Sequence, residues 1–199
     1  LDRLANAGVV TAAVNVHYLA DQLISHLSHR DRPATIICDE RDALLDTGGG
    51  AMGALGVIGE RPFFTVNTDS VWVEGARPAL ATLAQHFDPV RMDCVMLLAS
   101  VVTTIGYDGP GDFSMDETGL IERRAERPAV PFVYTGVSIV HPRLFEGAPD
   151  GAFSMNLLWD RALEAGRCFG VRHDGMWMHV GTPEALAAAE VAMSVNARA

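Results

Sequence analysis

Phe63-Phe64-Thr65-Val66-Asn67-Thr68-Asp69-Ser70-Val71-Trp72 decides how the rest of the chain is read. Residues 63–66 are apolar or β-branched and predict a buried strand, so the polar Asn67-Thr68-Asp69 falls where that strand leaves its sheet. In open α/β sheets ligands bind beyond the carboxyl ends of the strands, and a carboxylate at such a position is placed to hold a metal ion. The plainer reading has Asp69 capping the turn that follows. This stretch alone leaves both open.

Working upstream, residues 44–55 read Leu-Leu-Asp-Thr-Gly-Gly-Gly-Ala-Met-Gly-Ala-Leu. Three successive glycines are costly to order, which predicts a loop of unusual backbone or very close approach, with a helix starting at the small residues after it. A flexible surface turn is the alternative. Before this come a strand at 9–16, a helix at 18–27 and a strand at 34–38, preceded by a short helix tail that stops at Gly8. Mostly apolar strands alternating with helices predict a parallel sheet with covering helices.

Downstream, the pattern predicts a helix at 78–87, a buried strand at 94–99 and an antiparallel hairpin over 112–124 that turns at Asp116-Glu117-Thr118-Gly119. Arg123, Arg124 and Arg127 form a basic cluster that reads as a solvated face before a phosphate clamp. Residues 132–140 are strongly strand-like, with Gly136 inside marking a bulge or a ligand's approach to the backbone. A helix at 153–165, a turn at His173-Asp174-Gly175, a short strand at 176–180 and a helix capped by Thr182 complete the chain. The fold class expected is α/β: a Rossmann-like, mostly parallel sheet with covering helices and an inserted antiparallel hairpin, in a single domain over residues 1–199.

With 199 residues and 49% hydrophobic content, the chain can build a substantial core. Its formal charge of -10 argues against nucleic acid or an anionic membrane as a partner. All 15 basic residues are arginine, so any phosphate must be met by guanidinium groups, backbone N–H groups or a metal. Cys38, Cys94 and Cys168 are odd in number and widely spaced, which suits buried thiols in a reducing compartment; cytoplasmic location is the expectation.

Three segments together carry a resemblance: residues 44–50, residues 64–69, and Trp177-Met178-His179-Val180-Gly181-Thr182-Pro183-Glu184. Their order and spacing resemble the sugar-1-phosphate nucleotidyltransferase family, nearest its N-acetylmuramate-1-phosphate uridylyltransferase branch, over nearly the whole chain. The resemblance implies transfer of a nucleoside monophosphate, UMP from UTP in that branch, to a sugar 1-phosphate with release of pyrophosphate. The substrates it implies are a nucleoside triphosphate and a sugar 1-phosphate, with Mg²⁺ neutralising phosphate charge.

By the same resemblance Asp69 is the catalytic, metal-binding aspartate. Thr47, Gly48, Gly49, Gly50 and Asn67 are implied to bind the nucleotide, and Tyr134, Thr135 and Gly136 to face the sugar. The family's second metal-binding aspartate falls at His179, where an imidazole suits Mn²⁺, Co²⁺ or Zn²⁺ better than Mg²⁺. His179 therefore contacts the ion, hydrogen-bonds a phosphate, or serves the core. The family's opening strand and glycine-rich loop have no match before Leu1, so the sequence reads as shortened there. Rival readings are a mannose-1-phosphate guanylyltransferase and a noncatalytic sugar-nucleotide-binding or regulatory domain.

Overall fold

The computed structural model describes residues 1–196. In chain order the first elements are α1 (Asp2–Asn6), β1 (Thr11–Val16), α2 (Ala20–Leu27), β2 (Ala34–Asp39), α3 (Asp46–Ile58), β3 (Phe63–Val66) and β4 (Ser70–Val73). Next come α4 (Ala79–His86), β5 (Cys94–Ser100), β6 (Phe113–Met115), β7 (Ile121–Arg123) and β8 (Phe132–Val140). A 3-10 turn at Pro142–Phe145 leads to α5 (Asn156–Glu164), β9 (Cys168–Arg172), β10 (Met176–His179) and α6 (Pro183–Asn196). No helix among the described residues is long and apolar enough to cross a membrane.

The chain divides into two compact units, one formed by Leu1–Phe63 with His141–Glu164 and the other by Phe64–Val140 with the residues from Ala165 on. In the first unit β1 and β2 pair in parallel, from Thr11 opposite Ala34 to Val16 opposite Asp39. Two parallel strands need a crossover, and α2 supplies it, burying Ala20 and Leu27. Helix α3 packs on both strands and on α5, and Phe63 stacks on Phe145 with ring centroids 6.2 Å apart.

In the second unit one sheet runs β7-β6-β8-β5-β9, with β3 also pairing with β8, and β4 pairs with β10 in a separate ladder. Strand β5 lies between β8 and β9, with Val95, Met96, Leu97 and Leu98 all at or below 1% exposure. Helix α4 covers it through Ala79, Leu80 and Leu83, and each fully buried leucine of this kind contributes about 1.5–3 kcal/mol.

The mixed α/β class and the inserted hairpin are as expected, but the sheet is not mostly parallel. Antiparallel pairing joins β7 to β6, β6 to β8, β8 to β5, and β4 to β10, while β5–β9 and β1–β2 are parallel. The nine-residue strand β8 returns directly alongside β5 with no helix as crossover, and an apolar run carries no mark of its direction.

His173, just past β9, is 4% exposed, and its Nε2 lies 3.1 Å from the Val73 carbonyl oxygen. Burial disfavours the imidazolium and lowers the His173 pKa from its ordinary 6.5, against weaker opposing effects of the Val73 carbonyl and Glu74. The unfolded chain takes up this proton near 6.5 and the folded chain only at lower pH. Its contribution to stability is therefore complete above about 6.5 and declines as pH falls from there toward the depressed folded value. Thermal unfolding followed from about pH 7.5 to about pH 5.5 should show a falling midpoint, and a His173→Gln chain a flatter one.

Candidate active site

Strand β3 ends in the turn Asn67-Thr68-Asp69, and β4 begins at Ser70. The turn is seated on a bulge in β8. There the β5 pairing shifts register between Met96 and Leu98, and Gly136 takes φ +81°. The Asn67 N–H donates to the Gly136 carbonyl at 2.8 Å. A Cβ on residue 136 would lie 2.7 Å from Asn67 Cβ and 3.0 Å from Ser70 Oγ, so only glycine leaves room for the turn.

The neighbouring Thr135 carbonyl accepts from the Ser70 hydroxyl and, at 3.1 Å, from the Trp177 indole N–H. Thr135 itself is fully buried, its hydroxyl donating to the Leu97 carbonyl at 2.9 Å. The Tyr134 hydroxyl donates to Ser138 Oγ at 3.3 Å, and burial pushes its pKa up. The segment expected to face a sugar thus has its side-chain hydroxyls engaged within the unit.

His179 is the register partner of Ser70 across the antiparallel β4–β10 ladder, which brings it beside Asp69. His179 Nδ1 and Asp69 Oδ2 are 3.7 Å apart, with the two side chains 38% and 47% exposed. The Val180 N–H donates to the Asp69 carbonyl at 2.8 Å, tying the two strand ends together. One side of the imidazole stacks on Trp177, centroids 6.1 Å apart and planes 25° from parallel. A Cβ on Gly181 would come within 2.6 Å of His179 Nε2, so that glycine clears space for the ring.

Sequence reasoning singled out Asp69 and His179, which the fold brings together, but not Ser70, Trp177 and Gly181, which pack around them. Trp177 was detectable, since residues i and i+2 of a strand share a face and it precedes His179 by that interval. Among the described residues no group of three or more His, Cys, Asp or Glu could hold a metal. Asp69 and His179 offer one carboxylate and one imidazole, both partly exposed, a set that fits a divalent ion whose other ligands are substrate phosphates and water.

In the first unit the Thr47–Gly50 segment is not a loop. It lies in the opening turns of α3, which starts from Asp46 at φ +59°. Gly48, Gly49 and Gly50 are all buried, while Thr47 is exposed. The close approach foreseen from the glycines is made to the chain itself. A Cβ on Gly48 would lie 2.4 Å from the Phe153 ring, and one on Gly49 2.3 Å from the Gly151 carbonyl oxygen.

The Gly48 and Gly49 N–H groups both donate to the Phe153 carbonyl, and Thr47 Oγ1 accepts from Met155 N at 3.0 Å. These tertiary contacts outweigh the roughly 1 kcal/mol per residue by which glycine disfavours a helix. In the second unit the arginines at 123–127 are bound to their own loop. Arg127 donates to the Arg124 carbonyl at 3.1 Å and to Ser114 Oγ at 2.8 Å.

No protein-family model matches the chain. It is 43% identical over 198 residues to the N-acetylmuramate alpha-1-phosphate uridylyltransferase of Caulobacter vibrioides, covering 98% of this chain and 82% of the relative. It is 26% identical over 192 residues to the enzyme of the same name from Neisseria meningitidis serogroup B, covering 92% of this chain and 78% of that one. The fold is similar to the crystal structure of HddC from Yersinia pseudotuberculosis, with TM-score 0.73 at 20% identity over 94% of this chain and 80% of that one.

Proposed function

Because the chain belongs to the N-acetylmuramate alpha-1-phosphate uridylyltransferases, a branch of the sugar-1-phosphate nucleotidyltransferases, we propose that it moves UMP from UTP onto N-acetylmuramate 1-phosphate and releases pyrophosphate. The observation that carries this reading is the Asp69–His179 pair, held 3.7 Å apart at the end of two paired strands. The reaction asks for little covalent chemistry from protein groups and much electrostatic positioning of phosphates.

Asp69 and His179 are the groups that would hold a divalent ion, Mg²⁺ or, given the imidazole, Mn²⁺ or another ion of borderline softness. Such an ion, when bound, neutralises phosphate charge. Trp177 keeps the His179 ring in plane, and the Ser70 and Gly136 contacts keep the Asp69 turn from swinging. We assign nucleotide binding to the Thr47–Gly50 segment within the first unit and, taken by itself, to Asn67 within the second. In the first unit the parallel ends of β1 and β2, beside the start of α3, are where an α/β fold takes a ligand. Tyr134, Thr135 and Gly136 are assigned to the sugar, with the Tyr134 ring rather than its bonded hydroxyl as the contacting surface.

The test is direct. With UTP, N-acetylmuramate 1-phosphate and Mg²⁺ or Mn²⁺, pyrophosphate and a UDP-sugar should form in equal amounts. Product with GTP and mannose 1-phosphate in place of that pair would replace the reading, and binding of a nucleotide sugar with no turnover would remove it.

A further inference from the structure

In the first unit Asn15 and Glu40 stand at the carboxyl ends of the parallel strands β1 and β2. Glu40 is 7% exposed, and each of its carboxylate oxygens has a defined donor. Oε1 accepts from Asn15 Nδ2 at 2.6 Å, and Oε2 accepts from the Leu45 N–H at 3.1 Å, just ahead of α3. Asn15 Nδ2 also donates to the Gly50 carbonyl at 3.2 Å.

Both protons of the Asn15 amide are therefore spent on acceptors, which fixes its orientation. The oxygen Oδ1 has no hydrogen-bond partner among the described residues, and Asn15 is exposed at the strand end. A buried carboxylate thus sets a partly exposed amide so that it offers an acceptor beside the glycine segment.

We propose that Asn15 is a specificity-determining residue: its Oδ1 accepts the imino N–H of the nucleobase, and Glu40 is the positioning residue that keeps that acceptor turned outward. This rests on the nucleotidyl-transfer reading and names the base chemistry it selects. Uracil carries a donor at N3, whereas cytosine carries a lone pair there, which would face Oδ1 and be rejected. Glu40 also holds the Leu45 N–H, a bond that a glutamine oxygen keeps, so replacement by glutamine should change which base is chosen and not merely how tightly any base is held.

The test uses the full chain, with UTP and CTP titrated calorimetrically and turned over in parallel assays of pyrophosphate release. The native chain should prefer UTP in binding. Asn15→Ala should lower the UTP-to-CTP affinity ratio by about tenfold, with a lowered melting midpoint because the buried Glu40 Oε1 loses its donor. In Glu40→Gln the glutamine oxygen serves the Leu45 N–H and its Nε2 faces Asn15, so the Asn15 amide turns and shows a donor. The ratio should then fall by at least about tenfold and CTP binding should rise in absolute terms.

A native chain without base preference, or two variants that keep the native ratio while both affinities fall together, overturns the assignment. Base-selective binding with no pyrophosphate release would leave Asn15 in place and remove only the transfer reaction.

Discussion

Asp69→Ala is expected to lower kcat/KM for nucleotidyl transfer on the order of 10³-fold or more while leaving the melting midpoint within a degree or two, a loss of about 4 kcal/mol of transition-state stabilisation. The fold should survive because the Asp69 side chain is 47% exposed and its structural bond, from the Val180 N–H, goes to the backbone carbonyl that alanine keeps. What disappears is the carboxylate beside His179, the anionic member of the pair. Pyrophosphate release and a thermal melt on the same preparation check both halves. Full activity in the variant would take Asp69 out of the mechanism.

Gly136→Ala should damage stability and turnover together. Residue 136 sits at φ +81°, where a side chain costs about 1–2 kcal/mol, and the new methyl would press on Asn67 Cβ at 2.7 Å. With the overpacking added, the expected loss is about 2–5 kcal/mol. Because Asn67 and Ser70 flank Asp69, relief of that contact moves the carboxylate, and a displacement near 1 Å costs about 10²-fold in rate. Gly166→Ala provides the control: φ is +65° there, but a Cβ would meet nothing within 4 Å. It should show the backbone strain in its melting midpoint and native turnover. Equal behaviour of the two variants would mean that the Gly136 bulge does not place Asp69.

The elements were more legible than their directions. Alternating apolar strands and helices foretold β1, α2 and β2 as a parallel unit, and the polar turn at Asp116–Gly119 foretold the β6–β7 hairpin. Strand β4 went unread because Ser70–Val73 looks like a continuation of the turn, and only its long-range partner, β10, gives it a ladder. The glycine run was foreseen as a point of close approach but taken for a loop. Whether three glycines coil or wind into a helix is decided by Phe153 and Gly151, a hundred residues away, which local propensity cannot see. The same limit applies to the site. Asp69 and His179 stand out by residue type, whereas Ser70, Trp177 and Glu40 acquire meaning only from partners brought in by the fold.

The first unit is stitched from two separated stretches, Leu1–Phe63 and His141–Glu164, so no pair of cuts can excise it as one continuous peptide. A fragment halted at residue 63 forfeits the Phe153 carbonyl that receives Gly48 and Gly49, and would leave two amides bare at the head of a glycine-rich helix. A split version of this protein would therefore need its later piece supplied in trans before the earlier piece could settle.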